Sequence, residues 1–279
     1  MNQESNFNNV AFSSAFPFFG DEYFLPKPLV KLPDFEKDEG AATAKKYKKI
    51  NWLSKTHFVN LIHANECKIR SEELVADGGF LSAFPDNFKS QKFWMKEIQQ
   101  RVQIPLDGND TKPYYVERIR FNEMGGLYFM VTGDKTTIDK IAECLNWLGE
   151  QGIGTDRSVG NGQFSVSRDV ISFNLPESKS GVLLSLYCPP TEERSSGFLD
   201  NSRYNLIKRG GYISSPEDEN NLSLHKKSVF MFSEGSIFSN YASRKGYILD
   251  LNPSGARVKH PVYRDGRAFF LPIIIKDRS

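Results

Sequence analysis

At 279 residues, with 39% hydrophobic and 25% charged positions, the chain has the length for two domains and the composition of a globular protein, which excludes wholesale disorder. A formal net charge of only +2 excludes a protein that coats nucleic acid by bulk charge, while leaving room for a local basic groove. Cys67, Cys144 and Cys188 are far apart and odd in number, which argues against a disulfide framework or a cysteine zinc site and for a reducing cytoplasm. No apolar run approaches the ~20 residues of a membrane span, and Met1–Val10 is polar and Asn-rich, unlike a signal peptide. The expectation is a soluble cytoplasmic chain with no membrane partner.

The chain opens on aromatics. Phe12–Gly20 and Tyr23–Leu29 are interrupted by Pro17, Pro26 and Pro28, so they read as short extended pieces or edge strands. So many aromatics at the start of a domain point to a strand and helix that would normally precede them. Asp34–Tyr47 is charged, rich in small residues and expected to be exposed. Lys45, Lys46, Lys48 and Lys49 lead into Trp52–Ile62, a helix or helix-like turn, and a solvated helix face is preferred there over a lysine clamp. Glu66–Asn87 reads as irregular around Gly78-Gly79.

From Gln99 the signal improves. Arg101–Pro105, Tyr114–Phe121 and Gly126–Thr132 are strand-like, separated by turn residues at Asp107–Asp110 and Asn122–Gly125. The run Leu127–Val131 is apolar enough for a central strand covered on both faces. A helix follows, with Thr136 as N-cap, Asp139 three residues later, and Ile138, Ile141, Ala142, Leu145 and Leu148 on one stripe; Gly149 and Gly152 end it. Gln163–Phe173 alternates like a strand. The second half is strand-rich: Val182–Cys188, Leu206–Ser214, Ser228–Phe232, Gly246–Asp250 and Ala268–Ile275. This order predicts an α+β protein of two abutting domains, not a doubly wound parallel sheet.

The segment from Gly152 to Phe164 carries the most chemistry. Gly152, Gly154, Gly160 and Gly162 fall within eleven residues, which lets backbone amides approach phosphate oxygens. Arg157 adds a forked cation, and Thr155, Ser158 and Asn161 add neutral hydrogen-bonding groups. No lysine sits at Walker spacing, and the loop runs from helix to strand, the reverse of a dinucleotide fingerprint. A plain mobile connector is the bland alternative.

This glycine-rich run after a helix resembles the loop of the RAMP superfamily of CRISPR proteins. The order Ser14–Phe18, Phe24–Leu29, Ser233–Phe238 and His260–Arg267 is similar to the Cas5-like group, and within it to the fourth Csm subunit of the type III-A interference complex. The resemblance implies two ferredoxin-like (RRM-like) domains, here 1–173, incomplete at its start, and 174–279. It implies a non-catalytic subunit that holds the 5′ tag of a crRNA and docks a large polymerase/cyclase-like Csm subunit and an adjacent backbone RAMP subunit, with no cofactor and no metal. Carried onto this sequence, the RNA-binding residues are Gly152, Gly154, Thr155, Asp156, Arg157, Ser158, Gly160, Asn161, Gly162 and Phe164. Arg101 and Lys112 join them, because the Ile104–Tyr115 region corresponds to a nucleotide-displacing hairpin. The family's first strand–helix unit, with a His near a Gly, has no counterpart here.

Residues that would argue for an enzyme are sparse. His57, His63, His225 and His260 form no H-x-x-x-H or H-E-x-x-H pattern, and no G-x-S-x-G is present. Arg244, Lys245, Arg257, Lys259, Arg264 and Arg267 face only Asp250 and Asp265 over Arg244–Arg267, interleaved with Tyr247 and Tyr263. This stretch reads either as a docking face or as strands with solvated charges. Two other functions compete with guide-RNA binding: a RAMP endoribonuclease cutting repeat RNA, and a protein-only adaptor.

Overall fold

The computed structural model describes residues 10–36, 40–103, 111–154, 156–213, 224–253 and 260–276. It is a sheet-rich α+β protein with few helices. Contacts divide the chain into one compact unit of residues 1–14 and 129–279 and another of residues 15–128. These divisions, at 14/15 and 128/129, lie elsewhere than the 173/174 boundary read from the sequence.

The first strand, β1 (Ala11–Phe12), belongs to the split unit. The intervening unit begins with β2 (Phe16–Phe19) and β3 (Glu22–Pro26), a hairpin turned at Gly20, whose φ is +56°. Helix α1 (Ala41–Lys49), strand β4 (Trp52–Ser54) and helix α2 (Lys55–Ile62) follow, then β5 (Leu74–Val75), β6 (Phe80–Leu81), β7 (Trp94–Gln103), β8 (Lys112–Phe121) and β9 (Gly125–Tyr128). The main sheet runs β5-β6-β4-β3-β2-β9. Pro17 is therefore on an interior strand, not an edge. It is tolerated because the β2–β3 ladder pairs Phe18 with Tyr23 and Phe19 with Glu22, leaving Pro17 one position outside. The opening aromatics find partners in this unit: Phe19, Phe24, Phe80 and Phe93 are buried together, with Trp52, Phe88 and Trp94 packed against them. Each such ring contributes roughly 1.5–3 kcal/mol by leaving water.

Three local readings change. The exposed Asp34–Tyr47 stretch contains α1, whose polar composition hides the helix because only Thr43 and the half-buried Tyr47 anchor it. Trp52–Ile62 is a strand and then a helix, broken at Ser54, whose hydroxyl caps α2 by accepting from His57 N–H. Leu127–Val131 is not one central strand. Its first part ends β9 at the sheet edge, and Val131 starts β10 (Val131–Thr132), which pairs with β1 in the other unit, so the apolar run serves two sheets in turn.

The split unit continues with α3 (Lys135–Gln151), β11 (Ser180–Leu183), β12 (Leu206–Arg209), β13 (Val229–Phe232), β14 (Ile237–Ser239), β15 (Ile248–Asp250), β16 (Tyr263–Asp265) and β17 (Phe270–Pro272). The strand-rich second half is as expected, with β14 and β16 additional to the sequence reading. Sheet β14-β11-β17 buries Leu183, Tyr187, Phe232 and Phe238 as one cluster. Gln163–Phe173 is not assigned to a strand: alternation supplied the pattern, but no neighbouring strand pairs with it among the described residues.

Candidate nucleic-acid interface

Helix α3 delivers the chain to the glycine-rich loop. Its N-cap is Asp134, not Thr136: the carboxylate accepts from Thr137 N–H at 2.9 Å and from Thr137 Oγ1 at 2.6 Å. These bonds hold the Asp134 carboxyl below the usual carboxylate range. The helix runs through Gly149 and stops at Gly152, whose φ is +78° and whose N–H reaches Leu148 O at 2.8 Å.

The loop is closed at its neck rather than a mobile connector. Ile153 N–H donates to Gly162 O at 2.9 Å, and Phe164 N–H donates to Gly149 O at 3.2 Å. Gly162 is obligatory: its φ is +78°, and a Cβ there would stand 1.8 Å from Ile153 O. At Gly149 a Cβ would stand 2.3 Å from Phe164 O, so the neck closes only because both positions lack side chains. The tip is a 3-10 turn over Arg157–Val159, ended by Gly160 in the left-handed region. The Asp156 carbonyl accepts from Val159 N–H at 3.1 Å and Asn161 N–H at 3.3 Å. Asn161 Nδ2 adds a long bond to Val159 O at 3.4 Å. Asn161 thus braces the tip. Gly154 and Gly160 have open space around them, and Arg157 is exposed, its guanidinium making no hydrogen bond or ion pair among the described residues. Thr155 lies outside the described residues, and Ser158 belongs to the turn by its backbone. The neck brings Gly149, Gly152, Gly162 and Phe164 together, while Arg157 is presented on the turn.

Arg101 and Lys112 belong to the other unit, on the ribbon of β7 and β8. Ten consecutive pairs join these strands, from Trp94–Phe121 to Gln103–Lys112. The base is fastened by Asn122 N–H to Phe93 O at 2.9 Å and by the Trp94 and Phe121 rings, 6.3 Å apart. Strand alternation then sorts the side chains. One face carries Trp94, Ile98, Val102, Pro113, Tyr115, Ile119 and Phe121, with the Lys96–Glu117 ion pair (3.0 Å) neutralising its only charges. Ile98 and Tyr115 are each 68% exposed. The opposite face carries Arg101, Lys112, Arg118 and Arg120 against Glu97. Arg101 and Lys112 therefore share a face, with Arg118 and Arg120 as companions the sequence reading missed. The signal was present as R-x-R spacing in a strand, but without the register nothing joins it to Arg101. The expected turn at Asp107–Asp110 lies outside the described residues.

The remaining candidates resolve into structure. His57 has a carboxylate neighbour that no sequence pattern pairs with it: Nε2 is 3.5 Å from Glu73 Oε2, while Nδ1 is 2.8 Å from Ser54 Oγ. The order Ser–His–carboxylate matches a hydrolytic triad in connectivity only, because Ser54 is 1% exposed and occupied in capping α2. Burial pushes the His57 pKa down, favouring the neutral ring, and burial pushes that of Glu22 up beside Ser82. In the basic stretch, Arg244 is buried between the Phe198 and Phe238 rings, at 4.4 and 4.9 Å, and Arg267 pairs with Asp265 at 2.6 Å. These two cations build the fold instead of a docking face; Arg257 and Lys259 lie outside the described residues. Cys67, Cys144 and Cys188 are free thiols. Among the described residues no cluster of His, Cys, Asp and Glu is arranged to hold a metal, and no helix is long and apolar enough to cross a membrane.

Residues 176–273 match the family model of the CRISPR Csm4 C-terminal domain. The chain is thus a sheet-rich α+β protein whose C-terminal third is similar to a domain of CRISPR proteins. The chain is 26% identical over 260 residues to the CRISPR system Cms protein Csm4 of Mycobacterium tuberculosis (strain CDC 1551 / Oshkosh), covering 92% of this chain and 77% of that one. It is 28% identical over 236 residues to the protein of the same name from Thermococcus onnurineus (strain NA1), covering 82% and 70%. Its fold is that of a chain in the Csm3-Csm4 subcomplex of the type III-A CRISPR-Cas interference complex, with a TM-score of 0.63 and 21% identity over 97% of this chain and 85% of that one. A chain in the Csm1-Csm4 cassette in complex with cA4 gives a TM-score of 0.60 and 24% identity, covering 96% and 80%. Over most of its length the chain is thus similar to Csm4 proteins of CRISPR systems.

Proposed function

We propose that this chain is the non-catalytic, crRNA-gripping subunit of a Csm effector complex of type III-A in the cytoplasm, built of two ferredoxin-like domains. The glycine-rich loop holds the ribose-phosphate chain of the 5′ tag. Arg157 supplies the cation, and the basic face of the β7–β8 ribbon supplies further phosphate contacts. A large polymerase/cyclase-like subunit and a backbone RAMP subunit are its protein partners, by analogy with the Csm1-Csm4 and Csm3-Csm4 assemblies it resembles.

The observation that carries this reading is the closed neck. A loop locked by Gly149 and Gly162 presents Arg157 without having to order itself on binding, which lowers the entropic cost of holding a flexible strand. The test is binding of tag-containing RNA across a salt series, with RNA length followed in the same tubes. Wild type is expected to bind with a negative slope of log affinity against log salt, Arg157→Ala to bind more weakly with a shallower slope, and the RNA to stay intact. Equal binding by both proteins removes the loop from the site, and single-site cleavage replaces the subunit reading with an endoribonuclease.

A further inference from the structure

In the unit of residues 15–128 a buried acid and a histidine converge on one hydroxyl. The register of the main sheet brings them there. Phe24 of β3 faces Ser54 of β4, so Glu22, two residues before Phe24, lies diagonally across from Ser54 on the same face, within reach of a long side chain. Glu22, Ser54 and Ser82 are all buried. Ser82 Oγ donates to Glu22 Oε2 and Ala83 N–H donates to Glu22 Oε1, each at 2.7 Å. On the other side of Ser54, helix α2 sets His57 Nδ1 at 2.8 Å from the hydroxyl, with Nε2 turned to Glu73 Oε2 at 3.5 Å. Arg70 holds Glu73 in place through its backbone N–H at 3.0 Å and its Nε and Nη2 at 3.1 and 3.0 Å.

The Ser54 hydroxyl has one proton and two neighbours that can take it. With His57 neutral and its proton on Nε2, aimed at Glu73, Nδ1 is an acceptor and takes the hydroxyl proton. Glu22 then meets the bare Ser54 oxygen and gains by carrying a proton of its own. With Glu22 ionised, the hydroxyl turns to the carboxylate and Nδ1 must donate, which, with Nε2 still donating to Glu73, requires the imidazolium. Both arrangements hold the same number of protons.

We propose that Glu22, Ser54 and His57 form a proton-sharing relay, in which one proton rests on either Glu22 or His57 and the pH dependence that each group would impose alone is cancelled by the other. Burial is the largest influence on both groups, and it lowers the His57 pKa and raises that of Glu22. The linkage signs are therefore opposite. The His57 contribution to stability is present above the ordinary 6.5 and is lost as pH falls through its lower folded value. The Glu22 contribution is present below the ordinary 4.5 and is lost as pH rises through its higher folded value. Between 4.5 and 6.5, acidification removes one and restores the other. Among the described residues the charges facing His57 are Glu73 and Arg70; Arg70 also pairs with Glu72 at 3.0 Å, and the Cys67 thiol faces Glu73. The groups facing Glu22 are neutral: Ser82, Ser54 and the backbone of Ala83 and Phe84. Phe24, opposite Ser54, packs on Phe93 at 5.2 Å, immediately before β7, so the relay braces the sheet from which the β7–β8 ribbon rises. This inference is independent of the RNA reading of the loop.

Histidine NMR and chemical denaturation of the purified chain, from about pH 4 to about pH 8, test it. In wild type the neutral His57 should carry its proton on Nε2, His57 and Glu22 should titrate in shared steps, and the denaturation midpoint should change little between 4.5 and 6.5. Glu22→Gln, neutral like a protonated Glu22, should move the His57 titration down by about one pH unit or more and make the midpoint fall on acidification. His57→Gln should make the midpoint rise on acidification. The slope with pH is the readout, so a uniform loss of stability in either variant does not imitate the effect, and the wild-type titration stands even where a variant does not fold. Independent single-step titrations in wild type, an unmoved His57 titration in Glu22→Gln, or slopes of the same sign in the two variants each overturns the proposal.

Discussion

The glycine-rich loop and the β7–β8 ribbon reach the same chemistry, exposed cations, by opposite routes. The loop is shaped by what its residues lack. Two missing Cβ atoms let strands of backbone approach to hydrogen-bonding distance, and a single arginine is set on the turn they close. The ribbon is shaped by what its residues carry, since an unbroken register gathers four cations on one face and leaves the other mostly aliphatic and aromatic, its one cation paired with Glu117. A site made by backbone approach should fail all at once when one atom is added. A site made by alternation should fail by increments, one charge at a time. The two regions are thereby distinguishable by mutation without any knowledge of the bound nucleotides.

The largest effect is expected at Gly162. Gly162→Val puts a branched side chain where Ile153 O stands 1.8 Å from an added Cβ, at a φ that β-branched residues avoid. The loop neck should open, at a cost of about 3 kcal/mol or more to the unit of residues 1–14 and 129–279, and the loop's share of RNA binding should vanish. Chemical denaturation and a salt series on the same preparation measure both. A variant of unchanged stability would mean the neck is not the constraint that shapes the loop.

Next in size is the ribbon. Lys112 and Arg120 are exposed on its basic face, so Lys112→Ala with Arg120→Ala should lower RNA affinity about ten- to thirtyfold at moderate salt. The salt slope should flatten by about 1.4, twice the ~0.7 expected per single-strand phosphate contact, with stability unchanged. Arg157→Ala should produce half that flattening and a loss of about five- to tenfold, with no change in stability. If the double ribbon variant leaves the slope alone while Arg157→Ala changes it, the ribbon's basic face belongs to a protein contact and the loop alone to RNA.

How far each region was legible follows from the same contrast. The loop could be read from the sequence because glycine and arginine placement is local: Gly152, Gly154, Gly160 and Gly162 announce positive φ wherever they fall. The ribbon's faces could not, because Arg101 and Arg118 become neighbours only through a register that depends on residues outside either strand. The same limit explains Gln163–Phe173, where alternation was visible but pairing is a property of a second strand. It explains Leu127–Val131 too, where continuous apolarity was read as two covered faces and turned out to be a change of sheets. At Arg244 and Arg267, where the sequence left a docking face and solvated charges both open, composition counts charge, while rings from Phe198 and Phe238 and the carboxylate of Asp265 decide whether that charge is available.

The smallest effect should come from the cap that aims α3 into the loop. Asp134→Ala removes the acceptor for Thr137 N–H and Oγ1, leaving first-turn donors to water, so the thermal midpoint of this unit should fall slightly at neutral pH. The pH dependence identifies the cause. The folded carboxyl titrates below the ordinary 3.8, so its contribution is fully present above 3.8 and is lost as pH falls through the lower folded value. Wild type and variant should therefore differ at pH 7 and converge in acid. RNA affinity at neutral pH should scarcely move, since the neck at Gly149 and Gly162 lies at the opposite end of the helix from Asp134. A large loss of affinity in this variant would show that the loop depends on how the whole helix is seated and not on the backbone contacts at its own neck.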